Sequence, residues 1–101
     1  MSRYARRQDA SQGPIAQALT LSGLAVRDNS GAGRGAPDLW VSFDGRTAGV
    51  ECKTEGTQYG KRLRDSQVKW REGWEGEYVT LKTTIAAIAW ANQFKARQWG
   101  R

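Results

Sequence analysis

The dipeptide Asp44-Gly45 lies between two segments of alternating hydrophobicity, and it constrains this chain more than any other feature. Both central residues of a type I′ turn need a positive φ, which Asp tolerates and Gly adopts freely. Asp-Gly in that setting is therefore a strong hairpin signal. Residues 38–43 and 47–53 are expected as its two antiparallel strands. The turn then sets Leu39 against Val50 and Val41 against Ala48. Leu39, Val41 and Phe43 share a face with Ala48, Val50 and Cys52. The opposite face carries Asp38, Trp40, Ser42, Thr47, Gly49, Glu51 and Lys53. One side is apolar and the other polar, as in a sheet whose core lies on one face.

The same register sets Asp38 opposite Glu51. Directly opposed residues have Cβ atoms about 4.5–5.5 Å apart, and like charges there destabilise a sheet unless something compensates. In the plainest reading Lys53, two residues beyond Glu51 on the same face, compensates within a solvated charge cluster. A divalent cation compensates better. Mg²⁺ takes oxygen ligands and keeps several waters, so one or two carboxylates and a substrate phosphate complete a site. The backbone carbonyl of Cys52 is a candidate further ligand. Pro37 starts the strand sharply at Asp38, and the metal reading is favoured on that ground.

The chain has 101 residues, with 16 Lys+Arg against 10 Asp+Glu and a net charge of +6. It has room for one small domain and one core. A basic chain of this kind is expected to meet a polyanion, DNA first. Residues 38–55 stand apart at net −2, whereas residues 1–37, 56–75 and 76–101 are net +3, +2 and +3. An acidic spot in a basic surface suits metal ions held beneath a phosphate backbone. With no histidine and one cysteine, zinc sites built on His or clustered Cys, and nucleophile pairs that need His, are excluded. A lone cysteine forms no internal disulfide and fits a reducing cytosol. No apolar run approaches the roughly 18 residues of a membrane span, and no apolar stretch of a secretory leader follows the basic N-terminus. The expected location is the cytoplasm, of a bacterium or of a phage-infected host.

Pro14 suits the first position of a helix, after Gly13 or Ser11, that carries Ile15, Ala18, Leu19 and Ser22 on one face and stops at Gly23. Residues 24–27 read as a strand and residues 54–60 as a loop. Residues 62–74 fit a helix with Leu63, Gln67, Trp70 and Trp74 in one stripe. Residues 78–81 read as a strand, and Thr83 or Thr84 caps a last helix to about residue 96, with Ile85, Ile88, Ala89 and Trp90 inward. The expected class is a mixed α/β domain over residues 11–96, with a basic arm at 1–10 and a tail at 97–101.

Pro37-Asp38 followed by Glu51-Cys52-Lys53 across a hairpin resembles the PD-(D/E)xK signature of the restriction-endonuclease-like nucleases. The family's αβββαβ core, a mixed sheet flanked by helices, has the element order read above. The surrounding text resembles the VRR-NUC branch more specifically: Arg27-Asp28-Asn29-Ser30-Gly31, Gly35-Ala36-Pro37-Asp38-Leu39, Val50-Glu51-Cys52-Lys53-Thr54, and Asp65-Ser66-Gln67 leading to Trp70. The similarity covers residues 11–92. It implies that Asp38 and Glu51 bind Mg²⁺ or Mn²⁺ and that Lys53 activates water or stabilises the charged phosphorane. It also implies that Gln67 stands near the catalytic cluster. The family usually adds a glutamate from its first helix. No glutamate precedes Glu51 here, which leaves Asp9 as the nearest acid, or Gln8, Gln12 or Gln17 in that position. Stand-alone members resemble dimeric Holliday-junction resolvases of DNA repair and recombination.

The glycine-rich residues 31–35 precede a strand and match neither a dinucleotide fingerprint nor a P-loop. They read as a flexible connector in which Arg34 and the glycine amides are placed for a DNA backbone contact. Lys61, Arg62, Arg64, Lys69 and Arg71 are candidates to track phosphates, with a solvated helix face as the plainer reading of each. Trp70 and Trp74 read as core or dimer interface, and Trp40 as the tryptophan for DNA contact. Cys52 reads as an inert core thiol. The expected function is a metal-dependent endonuclease acting as a homodimer on branched DNA. The rivals are a flap or nicking nuclease, and a basic DNA-binding accessory protein with no catalysis.

Overall fold

The computed structural model describes residues 11–53 and 61–97, with backbone alone for residues 61–64. The order is α1 (Gln12–Leu21), β1 (Ala25–Asp28), β2 (Leu39–Phe43), β3 (Arg46–Cys52), α2 (Lys61–Arg71), β4 (Glu77–Leu81) and α3 (Thr84–Ala96). The strands form one sheet in the order β1-β2-β3-β4. The first two pairings are antiparallel and β3 pairs parallel with β4. A parallel neighbour needs a crossover, and α2 lies in that connection.

The hairpin register is the one the Asp44-Gly45 turn imposes: Leu39 pairs with Val50, Val41 with Ala48 and Phe43 with Arg46. Asp44 and Gly45 have φ of +53° and +82°, as a type I′ turn requires. Leu39, Val41, Ala48, Val50 and Cys52 are buried in one cluster with Ile15, Ala18 and Leu19 of α1 and Ala87, Ala91 and Phe94 of α3. Helices α1 and α3 therefore cover the apolar face. Helix α2 lies on the other face, where Trp40 meets Trp70 and Trp74.

Helix α1 begins earlier than Pro14. Gln12 opens it and Pro14 stands third, where a missing N–H costs nothing because the first turn has no internal acceptor. Gly23, at φ +99°, ends it. Helix α2 stops at Arg71, short of Trp74, and passes through Gly73 into a turn. Thr83 caps α3 by accepting the Ala86 N–H at 3.0 Å.

The inward face expected for α3 is corrected. Ile85 and Ile88 are 78% and 45% exposed, Ala89 is exposed and Trp90 is half-buried. Ala87, Ala91 and Phe94 face the core instead. From Ile85 to Ala91 this helix carries apolar side chains on every side, so polarity there gives no orientation. Ala87 and Ala91 let α3 approach α1 and the sheet closely, Phe94 fills the core one turn on, and Ile85 and Ile88 are left outside.

Candidate active site

Asp38 stands at the entrance to β2. Asn29 pins it from β1's end, donating its backbone N–H to the Asp38 carbonyl at 2.7 Å and its side-chain amide to the Pro37 carbonyl at 2.9 Å. The Asp38 carboxylate reaches across the hairpin and accepts the Cys52 N–H at 2.9 Å. In a strand, the N–H and C=O of one residue point to the same side. The Cys52 carbonyl is thus directed toward the Asp38 edge as well. The Cys52 thiol is buried in the core.

Glu51 projects from the opposite pleat to Val50 and Cys52, toward α2, and is only 6% exposed. Gln67 of α2 meets it there. Its Nε2 donates to Glu51 Oε2 at 2.5 Å, and its Oε1 accepts from Lys53 Nζ at 3.5 Å. A neutral amide has both a donor and an acceptor, so one side chain serves an anion and a cation together. Asp38, Glu51, Lys53 and Gln67 converge on one face of the sheet. Burial, then the negative charge of Glu51, push the Tyr78 phenol well above its ordinary range, and Asp38 adds to the push. Both carboxylates therefore act on one neighbouring group.

Four rings line the same face. Trp40, Trp70 and Trp74 lie with centroids 5.2–6.2 Å apart, and Tyr78 is 5.8 Å from Trp70. The Arg71 guanidinium sits 3.9 Å over Tyr78. Trp40 lies across Gly49, its cross-strand partner, where a Cβ would crowd both Pro37 and the indole. These tryptophans pack together as a partly exposed aromatic cluster, with Trp74 at 38% exposure.

Of the other candidates, Gln12 of α1 is buried and donates to Asp28 Oδ1 of β1 at 3.5 Å. The Ser30 hydroxyl and N–H also donate to Asp28, which lowers the pKa of its carboxyl. Gln17 lines a cavity of about 370 Å³ next to this group. Arg34 and Lys69 are exposed. The Lys61, Arg62 and Arg64 side chains, Gln8 and Asp9, and the expected loop at 54–60 lie outside the described residues. Among the described residues no three Asp, Glu, Cys or His side chains gather as a metal cluster, and no helix is long and apolar enough to cross a membrane.

Sequence reasoning missed two positioning contacts. Asn29 holds the strand start, as above. Gly35, at φ +84°, lies directly on α2: a Cβ there would overlap the Ser66 carbonyl oxygen and crowd the Gln67 nitrogen. Residues 31–35 are consequently not a loose connector. They are tied by bonds from Ala32 N–H to the Asn29 carbonyl and from Ala36 N–H to the Gly33 carbonyl. The glycine was visible in the sequence, but its contact with a helix some thirty residues on was not.

Comparison with protein-family models, with curated proteins and with solved structures gives no match to this chain.

Proposed function

We propose that this chain is a metal-dependent nuclease that hydrolyses phosphodiester bonds in DNA, with Asp38, Glu51, Lys53 and Gln67 as its active site. One observation carries the reading: a single amide ties a buried carboxylate to a lysine, on the face where a second carboxylate bridges the hairpin. Two hard-oxygen donors, with the Cys52 carbonyl directed to the same edge, suit a cation that completes its shell with water and phosphate. Asp38 and Glu51 would hold Mg²⁺ or Mn²⁺. When bound, such an ion acidifies water and neutralises phosphate charge.

The chain's own residues do the rest. Lys53 stabilises negative charge developing on the phosphate, a role that needs no neutral amine. Gln67 holds Lys53 and Glu51 at a fixed separation. The basic balance of the chain draws in the DNA backbone. The finer reading is a homodimeric junction resolvase in a bacterial or phage-infected cytoplasm, since paired cuts need two active sites and a symmetric dimer provides them.

Cleavage of a four-way junction, a flap and a linear duplex, side by side in Mg²⁺ and in EDTA, tests the activity. Cutting in Mg²⁺ that is lost in EDTA, and lost in Asp38→Ala, Glu51→Ala and Lys53→Ala proteins that still fold, is the expected result. Wild-type rates from purified Asp38→Ala protein would sink the mechanism. Sedimentation equilibrium should give twice the 11.2 kDa chain mass. A monomer on the junction replaces the resolvase with a flap or nicking nuclease.

A further inference from the structure

The chain makes the same turn twice. At Asp44-Gly45 the two φ values are +53° and +82°, and at Arg34-Gly35 they are +55° and +84°. In the second case the Ala36 N–H closes the turn on the Gly33 carbonyl at 3.1 Å. The leading residue of the hairpin turn is Asp, whose short polar side chain visits the left-handed region readily. The leading residue of the other is Arg, which does so rarely. Gly33 is left-handed too, at φ +69°.

Packing holds Arg34 in this unfavourable backbone. Gly35 lies on the α2 backbone at Ser66 and Gln67 with no room for a Cβ. On the other flank Asn29 holds Pro37 and Asp38. The turn is thus fixed between Gln67 and Asp38, two members of the site. Arg34 itself is exposed and bonds to no other described residue. Strain persists where the surroundings over-determine it, and such positions gather at ligand clamps. Asn or Gly would relieve the strain at no loss of contact among the described residues.

We infer that Arg34 is a phosphate-binding residue, its backbone fixed by the strained turn so that the side chain leaves the surface where it can take a DNA backbone phosphate. The assignment rests on the nuclease reading for its substrate. A planar guanidinium matches two phosphate oxygens at once, which an ammonium does not.

The test sets stability against binding in the full chain. Arg34→Asn suits the left-handed backbone and removes the guanidinium. Its melting temperature should equal or exceed that of the wild type. Its affinity for a short fluorescein-labelled DNA duplex, read by anisotropy in EDTA, should fall about five- to tenfold. The slope of log K against log salt should become shallower by about 0.9. Arg34→Lys keeps the charge and should lose less. Arg34→Asn protein that binds like the wild type overturns the inference, and so does one that melts several degrees lower, because the arginine would then be structural. Wild-type protein that binds through Arg34 yet never cleaves supports the phosphate contact and rejects the nuclease.

Discussion

Gln67 serves Glu51 and Lys53 with the two ends of one amide, a donor to the anion and an acceptor for the cation. Gln67→Leu keeps the shape and leaves the buried Glu51 carboxylate without that donor. Unfolding free energy should drop by about 1–3 kcal/mol, as expected for losing a hydrogen bond to a charged group. Chemical denaturation checks this, and cleavage should fall with little change in DNA affinity. Tyr78 gives a second test at the same scale. Burial and the charge of Glu51 raise its pKa above the ordinary 10.0, so the folded chain keeps a proton that the unfolded chain loses. That contribution to stability is whole below pH about 10 and is lost as pH rises beyond it. Tyr78→Phe has no such proton. Its melting temperature should decline less steeply than the wild type's above pH about 10, and parallel curves would show that Tyr78 does not carry the effect. Asp38, Glu51 and Lys53 fall together because a turn fixes the register and a strand alternates, whereas only the family resemblance points to Gln67. The pinning by Asn29 could not be read from the sequence, since a side chain bonding to a backbone eight residues away leaves no periodic trace.

Elements differ in how much of them can be read, and the difference follows from contrast. The hairpin has an apolar face and a polar face, so its orientation is legible in the amino acids alone. Helix α3 opens Thr-Ile-Ala-Ala-Ile-Ala-Trp-Ala, and these first eight residues offer no such contrast. Its burial is decided by the volume available beside α1, which is a property of the assembled layers. Substitution separates the two faces. Ile85→Lys, at an exposed position, should change stability by less than about 0.5 kcal/mol. Ala91→Leu forces a larger side chain between α3 and its neighbours, and should cost about 1–3 kcal/mol. Equal effects in thermal melts would contradict the packing described. Gly35 belongs with α3 in this respect, because its role is a close approach between a loop and a helix. Gly35→Ala must displace the turn or α2, and should both destabilise the chain and impair cleavage through Gln67.

At the scale of the whole molecule, the sheet divides the labour. Its apolar face, with α1 and α3, holds the fold together, and its other face gathers the carboxylates beside α2. The acidic segment is the local exception in a chain of net charge +6. That arrangement has a consequence for binding. Without a metal, Asp38 and Glu51 repel the same phosphates that the surrounding arginines and lysines attract. Coulomb energy falls only as the inverse of distance, and a buried carboxylate such as Glu51 is poorly screened by salt. Ca²⁺ takes the oxygen ligands that Mg²⁺ takes, with looser geometry. In DNA binding followed by anisotropy, Ca²⁺ should therefore tighten wild-type binding well beyond its value in EDTA. Asp38→Asn with Glu51→Gln removes both the repulsion and the ion's ligands. The double variant should bind more tightly than the wild type in EDTA and gain nothing from Ca²⁺. Wild-type affinity that Ca²⁺ leaves unchanged would remove the metal from the mechanism, and the carboxylates would then be a charge cluster with no ion to hold.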